Sequence, residues 1–182
     1  MHLPPVNEDE ELIGLVIAVP EPWMSELTTR RVEFGDEHGN QTPAHITLLP
    51  PTPIKKNQRA EVFEHLQSVA SSCCPFKIEL RGTGSFRPVS PVVYIDVEAG
   101  RHNLIELESE IRTGVLDVPV RFEFHPHVTI AQQVPDQTLD SAETACADFH
   151  AQWTVQGFRL DRVTPDGSYV SQALFNFTAP TA

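Results

Sequence analysis

Short apolar runs rich in β-branched residues alternate along this chain with segments whose apolar positions recur at helical spacing. Residues 12–19, LIGLVIAV, form an unbroken apolar run closed by Pro20, which predicts a buried strand rather than so short a helix. Trp23, Leu27 and Arg31 share one face over 21–32, with Pro22 suited to a first turn, so a helix follows. A loop at 35–42, containing Asp36, His38, Gly39 and Asn40, leads to a strand at 44–49, AHITLL, stopped by Pro50 and Pro51. Val62, Leu66, Val69 and Ala70 mark a helical face over 58–71, and strand chemistry resumes at 77–80 after Pro75. Residues 82–91 have the Gly, Ser and Pro content of a loop, and 92–97 alternate as a strand. Leu104, Leu107, Ile111 and Val115 form a further helical stripe. Residues 122–131 are strand-like, and Leu139, Ala142, Cys146 and Phe149 define a last helical face. Two final strands, 153–163 and 169–177, flank a hairpin turn around Pro165, Asp166 and Gly167.

The order strand, helix, strand, helix, strand therefore occurs twice. The step from Ile13 to His45 is 32 residues and that from Val93 to His127 is 34, which fits an internal duplication. The expected architecture is a bilobal, duplicated α+β fold, with two antiparallel-type sheets flanking a central cleft and helices outside. One domain spans 1–182, with lobe one at about 12–84, lobe two at about 91–178 and an interlobe loop at about 82–91. A chain of 182 residues is the size of one such unit, and 40% hydrophobic content is enough for its core.

Charge narrows the function classes. Thirteen Lys and Arg against 25 Asp and Glu give a formal charge of -12, which repels duplex nucleic acid and anionic membranes. A local phosphate site survives that average, because a few side chains and backbone N–H groups suffice to hold one phosphoryl group. The apolar run at 12–19 is too short to span a bilayer and follows acids, so no signal peptide is expected. Three cysteines, two of them adjacent, form no secreted-type framework, and a cytoplasmic location follows.

The chemistry concentrates in a repeated tetrapeptide, HITL at 45–48 and HVTI at 127–130. In a strand, residues two apart share a face, so His45 with Thr47, and His127 with Thr129, point together into a cleft while Ile46 and Val128 enter the core. Related by a pseudo-two-fold axis, the strands deliver two imidazoles and two hydroxyls around one point. Two histidines with ordinary pKa values near ~6.5 supply a base and an acid at neutral pH without a metal or other cofactor. In-line displacement at phosphorus needs this opposed placement, with donors such as Thr47 and Thr129 on the nonbridging oxygens.

These motifs resemble the signature of the 2H phosphoesterase superfamily, two His-x-Thr/Ser-x motifs in two lobes. The likeness extends to Pro126 before the second motif and to the Gly-Phe-containing loop and strand at 84–97. The resemblance implies a metal-independent phosphoesterase that opens 2',3'-cyclic phosphates or related ribose cyclic phosphates, with 2'-5' RNA ligation or noncatalytic binding of a nucleotide or RNA end as alternatives. Ligase-like members often carry Arg or Lys soon after the second motif, where this chain reads Ala131, Gln132, Gln133. Together with the charge of -12, that departure favours a small cyclic nucleotide over polymeric RNA and makes Arg87 the candidate substitute cation; the protein is expected to be a monomer.

Phe86 and Tyr169, beside Gly, Pro and Ser, are candidate base-stacking residues, whereas Tyr94 reads as core. His125 with His127 has the spacing of a metal pair on a strand, but the first half offers Pro43 at the matching position, so His125 reads as a flank. His65, His102 and His150 fall on helices or their ends and enter no site.

Overall fold

The computed structural model describes residues 3–36, 39, 41–119 and 122–178, so His38 and Asn40 of the loop at 35–42 lie outside the described residues. The elements run β1 (Glu10–Ala18), α1 (Trp23–Glu33), β2 (His45–Lys55), α2 (Arg59–Ser72), β3 (Phe76–Ser85), β4 (Val92–Ala99), α3 (Arg101–Ile111), β5 (His127–Gln132), α4 (Asp136–Ala145), β6 (His150–Val155), β7 (Gly157–Val163) and β8 (Tyr169–Asn176). Two four-stranded antiparallel sheets result. The first is ordered β2-β1-β7-β8 and the second β5-β4-β3-β6, an α+β bilobal arrangement.

After Glu10 and Glu11, β1 is apolar because it lies between β2 and β7 with both faces covered; Leu12 through Ile17 are all buried. α2 buries Val62, Leu66, Val69 and Ala70, the face read from their spacing. α3 ends earlier than its stripe, because Gly114 turns the backbone to a φ of 57°, and Val115 falls in the 3₁₀ turn Gly114–Leu116. In the same way Cys146 and Phe149 lie beyond the end of α4 yet remain in the core.

Several boundaries differ from the sequence reading. The strand expected to stop at Pro50 and Pro51 runs on to Lys55, since β2 is an edge strand that can carry prolines, and Thr52 and Ile54 still pair with Ile13 and Glu11 of β1. The strand expected at 122–131 begins only at His127, since Pro126 has no N–H to give a ladder and the carbonyl of His125 bonds the His127 ring. The segment 82–91 is not an interlobe loop. β3 continues to Ser85, its register shifting between Leu80 and Thr83 around Gly82, so a Gly-rich segment is carried as bulged strand and only 86–91 connect β3 to β4 within one sheet. The strand expected at 153–163 is two strands in different sheets, broken at Gln156. Gly157 makes the crossing possible, because a Cβ there would sit 2.2 Å from the carbonyl oxygen of Phe175.

Consequently the lobe boundaries at 12–84 and 91–178 do not match the sheets. β3 joins β4, β5 and β6, while β7 and β8 return to β1 and β2. Sheet two, 76–155, is inserted into a sheet one built from both ends of the chain.

Candidate active site

β2 and β5 are the edge strands of their sheets, and they lie against each other where the sheets meet. Each opens on its motif histidine. Ile46 and Leu48 are buried and His45 and Thr47 half-buried; Val128 and Ile130 are buried and His127 and Thr129 half-buried. The period of two thus places both His-Thr pairs on the face opposite the core.

Both imidazoles are held alike. His45 Nδ1 lies 2.8 Å from the carbonyl oxygen of Pro43, and His127 Nδ1 lies 2.6 Å from that of His125. A carbonyl only accepts, so Nδ1 carries the proton and Nε2 is left as the basic atom of each neutral ring. Neither the Thr47 nor the Thr129 hydroxyl has a hydrogen-bond partner among the described residues, and both remain free to donate.

A tyrosine accompanies each histidine, and a glycine makes room for each tyrosine. The Tyr169 ring lies 5.7 Å from that of His45, and a Cβ on Gly14 would come within 2.9 Å of it. The Tyr94 ring lies 5.2 Å from that of His127, and a Cβ on Gly84 would meet it at 2.7 Å. Burial raises both phenols, that of Tyr169 to about 12, so each stays a protonated donor. Phe86 completes the second side, 4.9 Å from His127 and edge-on to it.

Charges distinguish the two histidines. Burial lowers His45 to about 4, an effect that Arg31 and Arg159 increase and that the Pro43 carbonyl and Asp161 oppose. His127 is also lowered, chiefly by burial and then by His125, while the His125 carbonyl and Asp96 oppose. Asp96 stands directly across from His127 on β4, bonded to Arg101 at 2.6 Å and 3.3 Å from the His125 ring.

Of the residues proposed from sequence, His45, Thr47, His127, Thr129, Phe86 and Tyr169 occupy this region. Arg87 does not serve as its cation: the guanidinium is spent on Asp140 and Glu143 of α4, each at 2.7 Å. Tyr94 is buried as expected but also touches His127, and His125 is more than a flank, since its carbonyl orients the His127 ring. Among the described residues no three His, Cys, Asp or Glu side chains are grouped to hold a metal ion, so the His125 and His127 pair finds no third ligand there. The Asp96, Arg101, Arg159 and Asp161 charges were missed. The run FRLDRV at 158–163 carried a signal for two of them, opposite charges at i and i+2 on one strand face, with apolar Phe158 and Leu160 on the other. His150 was misplaced; it opens β6, bonded to Glu79.

No described helix is long and apolar enough to cross a membrane. E. coli LigT in its apo form has a similar fold, with a TM-score of 0.67 at 15% identity over 94% of this chain and 99% of that one. The LigT complex with 3'-AMP gives 0.65 at 15% identity over 93% and 99%. Two proteins carrying the name "Putative phosphoesterase" are more similar in sequence. That of Bacillus cytotoxicus is 32% identical over 150 residues, 81% of this chain and 86% of its own, and that of Bacillus cereus 34% over 165 residues, 90% and 95%. The profile of the 2'-5' RNA ligase superfamily matches residues 19–164, so the chain belongs to that superfamily and is a phosphoesterase of the 2H type.

Proposed function

We propose that this protein opens 2',3'-cyclic phosphates, or related ribose cyclic phosphates, with His45 and His127 as general base and acid. The observation that carries the reading is the matched tethering of the two rings, each through Nδ1 to the carbonyl two residues upstream, with a threonine hydroxyl two residues downstream. One Nε2 takes a proton from water as the water oxygen bonds to phosphorus; the protonated Nε2 of the other gives its proton to the ribose oxygen as the ring P–O bond breaks. Thr47 and Thr129 donate to the nonbridging oxygens.

The charges favour His45 as base in ring opening. Arg31 and Arg159 disfavour its imidazolium, whereas Asp96 beside His127 supports a protonated acid there. A nucleotide-sized substrate agrees with the charge of -12 and with the 3'-AMP named in the LigT complex, a nucleoside monophosphate of the kind that ring opening releases.

Incubation with a panel of 2',3'-cyclic nucleotides, with and without chelator, tests this reading. Turnover should survive chelation, and His45→Ala or His127→Ala should each lower it at least ~10²-fold. Nucleotide binding without turnover would leave a noncatalytic module, and near-native rates in a folded histidine variant would end the two-histidine mechanism.

A further inference from the structure

The repeated motif supplies bases, acids and hydroxyls but no cation, and the guanidinium expected to fill that role, Arg87, is tied to α4. Three other arginines lie near the histidines. Arg31 forms an ion pair with Asp36 in which both side chains are sealed, 5% and 1% exposed, so it cannot reach a ligand. Arg101 bonds Asp96 through Nη2 and lies along the His125 ring through Nη1.

Arg159 is placed differently. Val16 at the centre of sheet one pairs with Thr47 on one side and with Arg159 on the other. Residues paired directly across antiparallel strands point to the same face, so Thr47 and Arg159 share the cleft face two strands apart, about 10 Å between backbones. The neighbouring cleft-face residue on β7 is Asp161. Its carboxylate receives Arg159 Nε at 2.7 Å and Nη2 at 2.8 Å, a two-pronged grip that leaves Nη1 with no partner among the described residues. Asp161 is fully buried while the Arg159 side chain is 31% exposed, so the pair opens toward solvent at its cationic end.

A buried carboxylate carries a desolvation cost that ion pairing seldom returns as net stability, so this geometry is a poor way to strengthen a sheet. It is a good way to hold a planar guanidinium in one orientation with one edge free. We propose that Arg159 is the anion-binding residue of the cleft, donating to the nonbridging oxygens of the phosphoryl group beside His45 and Thr47, with Asp161 as the residue that positions it. The identity of that anion as a substrate phosphoryl group rests on the function proposed above.

Inorganic phosphate is the probe. Titration of the protein, followed through the ring resonances of His45 and His127, gives a Kd for wild type, Arg159→Gln and Arg159→Lys. Loss of a charge-assisted donor should weaken phosphate binding at least about tenfold in Arg159→Gln. Arg159→Lys, which keeps the countercharge of Asp161 but not the fork, should recover part of it. Binding of uncharged adenosine should be unchanged, which a general loss of structure would not leave so. If Arg159→Gln does not fold, Arg159→Lys carries the test: weaker phosphate binding at an unchanged thermal midpoint supports the assignment, and an unchanged Kd overturns it. Turnover of 2',3'-cyclic AMP is measured alongside. Wild-type turnover with phosphate binding and kcat/KM indifferent to Arg159 ends this inference and leaves the phosphoesterase reading standing. Arg159-dependent phosphate binding without turnover does the reverse.

Discussion

His45 should make the fold acid-labile by a calculable amount. Its folded pKa of about 4 lies below the ordinary 6.5, so as pH falls the unfolded chain takes up the proton first. Stability from the neutral ring is complete above pH ~6.5 and drains away toward pH ~4. The whole displacement is worth roughly 3 kcal/mol, of which about 2.5 kcal/mol has gone by about pH 4.5. His45→Asn is the diagnostic change, because an Asn amide N–H stands where Nδ1 stands, can still donate to the Pro43 carbonyl, and does not titrate. Urea unfolding of wild type and variant at about pH 7.5 and 4.5 isolates the effect, since His127 and the carboxylates are common to both proteins. The Trp23 and Trp153 rings, stacked at 6.0 Å between the two halves, provide a fluorescence signal for unfolding. Wild type should lose on the order of 2.5 kcal/mol more than His45→Asn across that interval. Equal losses would show that the ring is not held neutral, and the case for His45 as a base poised unprotonated would fall with it.

Three further outcomes follow from the same geometry. Because both histidines are lowered and the productive form carries one proton, kcat/KM should trace a bell whose maximum lies on the acid side of 6.5; a rate rising steadily beyond pH ~9 would contradict it. Thr47→Val or Thr129→Val deletes a donor at constant shape and should cost about 2 to 4 kcal/mol of transition-state stabilisation, while Thr→Ser at either position should be mild, as steady-state kinetics would report. Gly84→Ala drives a methyl to 2.7 Å from the Tyr94 ring, so it should destabilise by about 1 to 3 kcal/mol and depress kcat through the displaced His127; an unchanged thermal midpoint and rate would refute that packing.

The two His-Thr pairs were legible because they obey the shortest rule in the sequence: side chains two apart share a strand face, and the tetrapeptide appears twice. His45 and Thr47, like His127 and Thr129, needed nothing else to be placed. What surrounds them depends on pairing between distant strands, which no local pattern encodes. Tyr94 was read correctly as core, but its contact with His127 comes from the register of β4 on β5. Arg159 stands in a row with Thr47 only because Val16 lies between them. Arg87 misled for the complementary reason: its loop carries it toward acids of α4, 53 and 56 residues away in sequence. The crossing at Gln156 was invisible because both sides of it are apolar and alternating, and one residue divides two strands of different sheets.

The insertion of one sheet within the other sets an order of assembly during synthesis. Residues 76–155 hold every strand of sheet two and can complete it as soon as they emerge. The hairpin of β1 and β2, made first, must wait for the last strands, with the apolar edge of β1 unpaired until Gly157–Val163 arrives. His45 and Thr47 are therefore translated well before the residues that line their half of the cleft, Arg159, Asp161 and Tyr169, which come only after the strands of sheet two. A nascent or truncated chain ending before residue 157 carries both histidine motifs and every strand of the second sheet but lacks β7 and β8, so the half of the cleft around His45 cannot be walled until those strands are made.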